Sequence, residues 1–179
     1  KLSLELENII NGEKVNLIKK LNKDHIEFEK YSKEYVDSIF VRNHDMERIA
    51  STFKGDIQKL KLVSSLLLTL PGTPFLYYGE ELGQAGKKPD ENIREPFDWY
   101  KSATGQGMTT MEKGGFFGSM RYTKANDGIS LEEQLSDEKS LYNHYKKLIN
   151  IRKDNSYMAY GNYEEIETQE GVYAYKIVD

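Results

Sequence analysis

The sequence contains no cysteine, only four prolines and one tryptophan, and no apolar run long enough to cross a bilayer. Without cysteine there is neither a disulfide framework nor thiolate chemistry, which fits a cytosolic protein and a disulfide-free bacterial secreted one equally well. The longest apolar stretch, residues 63–70 (VSSLLLTL), is interrupted by serines, whereas a transmembrane helix needs roughly 20 apolar residues. Blocks of like charge are missing too. The 25 Lys and Arg and 29 Asp and Glu are interspersed and sum to −4, so no basic patch invites nucleic acid or an anionic membrane. The start, Lys1-Leu2-Ser3-Leu4-Glu5, has neither the apolar core of a signal peptide nor an initiator Met, and it predicts a chain that begins inside a longer protein. What is present, 38% hydrophobic residues in a 179-residue chain, is enough for one ordinary domain core.

Leu6, Ile9, Ile10, Leu17, Ile18 and Leu21 fall at near-helical spacing, with Gly12 as the break between two short helices. Residues 35–41 (YVDSIFV) are β-rich and mostly apolar, as expected of a strand buried on both faces. Asp56 suits an N-cap, Leu60, Val63, Leu67 and Leu70 follow helical spacing, and Pro71-Gly72 ends that helix. Residues 74–78 (PFLYY) read as a second buried strand, so strand, helix and strand predict a parallel βαβ unit. The segment 83–137 has little periodicity and is far longer than an ordinary connection, which predicts a functional or disordered loop. Its aromatics Phe97, Trp99, Tyr100, Phe116, Phe117 and Tyr122 favour an ordered excursion packed on something. Ser130-Leu131-Glu132-Glu133 has capping-box spacing. Leu141, Tyr145, Leu148, Ile149 and Arg152 mark one face of a helix over residues 140–153, and alternation over 163–168 and 172–178 predicts an antiparallel hairpin. The change from α/β to all-β places a domain boundary near residues 155–161.

Both predicted strands end in abrupt polar clusters, Asn43-His44-Asp45 and Gly79-Glu80-Glu81. In parallel α/β barrels the functional side chains sit at the C-terminal ends of strands. Taken alone, such a triplet serves turns more often than catalysis. His25 lies in a polar connection and His144 beside lysines, so both read as solvated surface residues.

The segments 40–48 and 72–81 together resemble two recurrent motifs of the α-amylase family, glycoside hydrolase family thirteen: F-x-x-N-H-D-x-x-R and G-x-P-x-x-Y-x-G-x-E. Ile93-Arg94-Glu95-Pro96-Phe97-Asp98-Trp99 is similar to the R-E-P-x-x-W loop of bacterial members, and residues 130–152 to their last barrel helix. The resemblance implies an α/β fold in which residues 1–157 form the C-terminal part of a catalytic (β/α)8 TIM barrel, with the long loop 83–137. Residues 158–179 would then begin, with a β-hairpin, the C-terminal β-sandwich domain. Asp45 would be the carboxylate that hydrogen-bonds the sugar hydroxyls and stabilises an oxocarbenium-like transition state. His44 and Asn43 would bind the same sugar, although Asn43 equally suits a turn cap, and Arg48 would orient the site from behind. Glu81 is the expected partner of Arg48, in a bidentate pair or as an ordinary salt bridge. Trp99 offers a stacking face and a donor to a sugar, although packing of its loop is the commoner fate, and Tyr77 would give structural support from a buried strand.

A retaining glycosidase also needs a nucleophile and a general acid about 5 Å apart. In the family these come from earlier strands, which residues 1–34 do not resemble, so this chain alone is expected to be inactive. The expected parent is a retaining enzyme acting on α-1,4-glucans such as starch and maltodextrins. The alternative is a non-catalytic carbohydrate-binding or protein-interaction module derived from the same barrel. No metal ligand or cofactor is assigned within the chain, and the family's calcium site would rely on earlier residues. Exposed parallel edges call for cover by an N-terminal barrel fragment or a second copy. The resemblance slightly favours a secreted over a cytoplasmic bacterial protein and leaves the location open.

Overall fold

The computed structural model describes residues 2–109 and 121–178, so Phe116 and Phe117 lie outside the described residues. The chain opens with α1 (Leu2–Ile10) and α2 (Leu17–Glu29), parted at Gly12, whose φ is +85°. Asn16 makes no side-chain cap at the start of α2. The Ile18 N–H is satisfied instead by Glu165 Oε1 and the Tyr173 hydroxyl, both at 3.1 Å. A helix end left unpaired by its own sequence is thus completed by residues about 150 positions away.

Next come β1 (Ser38–Phe40), α3 (Ile49–Thr52), α4 (Ile57–Thr69) and β2 (Thr73–Phe75). β1 and β2 pair in parallel, Ser38 with Thr73 and Phe40 with Phe75, as the βαβ pattern predicts. Asp56 caps α4 by accepting from the Gln58 and Lys59 N–H groups at 3.0 and 3.2 Å, and α4 buries Leu60, Val63, Leu67 and Leu68. Both strands are shorter than the sequence predicts and are not buried on both faces. Side chains alternate along a strand, so Ile39 and Val41 turn into the core while Phe40 and Phe75 stay 40% and 55% exposed. Among the described residues the sheet has two strands, and Phe40 and Phe75 lie open on its second face.

A 3-10 turn (Glu80–Leu82) leads into the long loop, which carries α5 (Asp90–Ile93) and α6 (Leu131–Gln134). The Ser130–Glu133 capping box forms and opens only the four-residue α6. Then follow α7 (Leu141–Asp154), β3 (Asn162–Ile166) and β4 (Ala174–Val178), the last two antiparallel. Leu141 and Tyr145 are buried, whereas Ile149, expected on the same face, is 43% exposed. Arg152 of α7 donates to the Leu68 and Leu70 carbonyls at 2.9 Å and to Gly72 O. It thereby satisfies the orphan carbonyls at the end of α4, where a cation is favoured. The hairpin does not stand apart: Tyr163 is 3% exposed within the common core, and its hydroxyl donates to Thr69 O at 2.8 Å. Among the described residues no helix is long and apolar enough to cross a membrane.

Candidate active site

Asn43, His44 and Asp45 directly follow β1. Asn43 Oδ1 accepts from the Asp45 N–H at 3.0 Å, an Asx turn that bends the chain as it leaves the strand. The His44 and Asp45 side chains are about two-thirds exposed, with His44 Nε2 3.5 Å from Asp45 Oδ2. Arg48, three residues on, is 1% exposed.

The surroundings of Arg48 differ from the expectation. Its Nε donates to Ile93 O at 2.9 Å and its Nη1 to Tyr78 O at 2.6 Å, while its guanidinium lies over the Tyr77 and Tyr78 rings at 4.6 and 4.8 Å. No Arg48–Glu81 ion pair forms among the described residues. Two carbonyls and two aromatic faces occupy the guanidinium, and Glu81 Oε2 is buried without a hydrogen-bond partner. Burial lowers the Arg48 pKa, opposed by the nearby Tyr77, Tyr78, Glu80 and Glu95, and raises that of Glu81.

Tyr77 and Tyr78 follow β2 rather than continuing it. Their hydroxyls donate to Ile93 O at 3.0 Å and Glu95 O at 2.9 Å, and Gln84 Nε2 donates to Pro96 O at 2.8 Å. Residues 93–96 are thereby stapled to the end of the second strand. Burial, and then the hydrogen bond with Tyr78, push the Tyr77 hydroxyl up to about 12, so it stays a donor at physiological pH. The turn at Gly79 requires glycine: its φ is +83°, and a Cβ there would lie 2.3 Å from Gln84 Oε1 and 3.0 Å from Arg48 Nη1.

Three residues essential to this geometry were assigned no role from the sequence. Arg94 donates from Nε to His44 O at 2.9 Å and from Nη2 to Asp45 Oδ1 at 3.0 Å. Glu95, 3% exposed, accepts from the Tyr122 N–H, the Thr123 N–H and the Thr123 hydroxyl at 2.7–3.0 Å. Arg42 is buried against α1 and pairs with Glu7 Oε1 at 2.7 Å. For Arg94 and Glu95 the one available signal was their place in the R-E-P segment. Arg42 gave none beyond being a cation beside an apolar strand.

Trp99 is 42% exposed and packs on Phe97 at 4.5 Å between ring centroids, and no hydrogen bond among the described residues joins it to the 43–48 cluster. His25 is exposed, as expected, beside Tyr35. His144 is half-buried rather than fully solvated: its Nε2 sits 3.1 Å from Ser65 Oγ and 3.2 Å from Lys61 O, because α7 packs on α4. A cavity of about 950 Å³ lies between residues 12–16 and 165–173. Among the described residues no three His, Asp or Glu side chains are grouped to hold a metal ion.

The family model "Alpha amylase, catalytic domain" matches residues 7–161, which include both strand ends and the loop that joins them. The chain belongs to the α-amylase family. Alpha-amylase 3 of Dictyoglomus thermophilum is 39% identical over 173 residues, which cover 96% of this chain and 34% of that protein. A 4-alpha-glucanotransferase of Thermotoga maritima is 35% identical over 82% of this chain and 33% of its own length. The crystal structure of the alpha-amylase from H. orenii superposes with a TM-score of 0.82 at 32% identity, over 99% of this chain and 35% of that one. The α/β fold is therefore that of an α-amylase-family enzyme, of whose length this chain spans about a third.

Proposed function

We propose that this chain is the C-terminal part of the catalytic barrel of a retaining enzyme acting on α-1,4-glucans, and that Asp45 is its transition-state-stabilising carboxylate. One observation carries the reading: Asn43-His44-Asp45 leaves the end of a parallel strand with the Asp45 carboxylate open to solvent, while Arg48 behind it is locked in place. In this role Asp45 does not attack the sugar. Its oxygens accept hydrogen bonds from ring hydroxyls, which strengthen as positive charge develops on the ring. The nucleophile and general acid, about 5 Å apart in a retaining site, would come from the remaining two-thirds of a protein as long as its relatives, as would any calcium ligands. The same remainder would cover the Phe40 and Phe75 face, and the β3–β4 hairpin would begin the β-sandwich domain that follows the barrel. The 179-residue chain alone would then be inactive.

The test uses the intact polypeptide that carries this chain. Asp45→Asn is expected to lower turnover of a maltooligosaccharide by about 10²–10³-fold, the size of losing a preorganised electrostatic contact. The thermal midpoint should hold, since Asp45 is exposed. Unchanged turnover would remove Asp45 from the mechanism.

A further inference from the structure

Nothing on β1 fixes the direction of the Asp45 carboxylate. The Asx turn holds its N–H but leaves χ1 free, and an exposed aspartate distributes over staggered rotamers. Arg94 supplies the missing constraint from the loop. Its guanidinium is anchored by Nε on His44 O at 2.9 Å and by Nη2 on Asp90 Oδ2 at 2.8 Å. With the plane so fixed, Nη2 also meets Asp45 Oδ1 at 3.0 Å. A planar fork held at two points sets the third direction, which a flexible ammonium cannot do. The base of the fork is itself held. Arg94 N–H closes α5 on Asp90 O at 3.0 Å, Ile93 O accepts from Arg48 and Tyr77, and Glu95 anchors residues 122 and 123. Oδ1 is thus occupied, and Oδ2 lies 3.5 Å from His44 Nε2.

We propose that Arg94 is a positioning residue that sets the rotamer of Asp45, so that the loop after β2, rather than β1, aims the carboxylate at the sugar. The proposal rests on the reading of Asp45 as the transition-state carboxylate. Stability is not the purpose of the contact, since exposed ion pairs add little to it. Its value lies in geometry, because a misplacement of about 1 Å can cost about 10²-fold in rate.

In the intact polypeptide, kcat and KM on maltoheptaose are compared for Arg94→Gln, Arg94→Lys, Asp45→Asn and the double variant Arg94→Gln/Asp45→Asn. Arg94→Gln should lower kcat by about 10- to 100-fold with little change in KM, and Arg94→Lys should not restore it. On the Asp45→Asn background, Arg94→Gln should cost nothing further, because its effect passes through Asp45. Losses that multiply, or a raised KM at intact kcat, would mean that Arg94 binds the sugar itself and would overturn the proposal. Crystal structures of the wild type and Arg94→Gln give a readout that needs no activity: one Asp45 rotamer should become two or more. A single unchanged rotamer refutes the role of Arg94, whereas a wild type inactive on every α-glucan refutes only the role of Asp45.

Discussion

Replacing Arg48 by Met tests whether this buried cation holds the candidate site together. The change removes two charge-assisted hydrogen bonds, to Ile93 O at 2.9 Å and Tyr78 O at 2.6 Å, each of about 1.5–3 kcal/mol. It also removes the cation–π contacts to Tyr77 and Tyr78 at 4.6 and 4.8 Å, about 2 kcal/mol where the cation is desolvated. Against these stands the desolvation of the guanidinium, several kcal/mol, which Met does not incur. Ile93 O keeps the Tyr77 hydroxyl, whereas Tyr78 O is left without Arg48. The net loss should be about 1–3 kcal/mol, the cost of leaving the buried Tyr78 carbonyl without its donor. That is a large share of the roughly 5–15 kcal/mol that stabilises a domain. With a urea slope of about 1–3 kcal/mol/M, the midpoint followed by circular dichroism should fall by about 1 M. Arg48→Lys should lose nearly as much, because one ammonium cannot serve both carbonyls and both ring faces. A loss below about 1 kcal/mol for Met, or a Lys variant equal to wild type, would refute the reasoning.

Glu80 is 3% exposed, its two carboxylate oxygens lack hydrogen-bond partners, and burial pushes its carboxyl up to about 8 from an ordinary 4.5. The folded state therefore binds a proton that the unfolded state has already released, so stability should fall as pH rises from about 4.5 to about 8 and level off above it. Glu80→Gln should remove that part of the slope; urea midpoints that depend on pH equally in both proteins would contradict the assignment. Gly72 adopts φ +93°, and a Cβ there would lie 2.8 Å from Asp37 O, the acceptor of the Thr73 N–H that starts the parallel pairing. Gly72→Ala should cost about 1–3 kcal/mol of backbone strain, lowering the thermal midpoint by several degrees at about 2–4 °C per kcal/mol; an unchanged midpoint would show that the connection can relax.

Local signals were legible wherever the interactions that build an element lie within a few residues. The Asp56 cap, the helical spacing of α4, the Ser130–Glu133 box and the β3–β4 hairpin all formed as read. Expectations failed where distant residues compete for the same group. Arg48 was paired on paper with the carboxylate of the second motif, yet backbone carbonyls and aromatic rings reach it first. His144 looked solvated because its helix neighbours are lysines, but α4 packs against it. The strands were read as buried on both faces from composition, whereas burial depends on what else is packed against a sheet.

The sequence by itself determined the family and the place of Asp45, because a strand's end and the polar residues that leave it are contiguous in the chain. The family resemblance adds the expectation that Arg48, three positions after Asp45, orients that carboxylate. Only the tertiary structure decided what holds these groups: Arg94, 49 residues from Asp45, Glu165 at the start of α2 and Arg152 at the end of α4. Such contacts join atoms whose separation along the chain is large and variable, so no local pattern encodes them; they exist only once packing has brought the elements together.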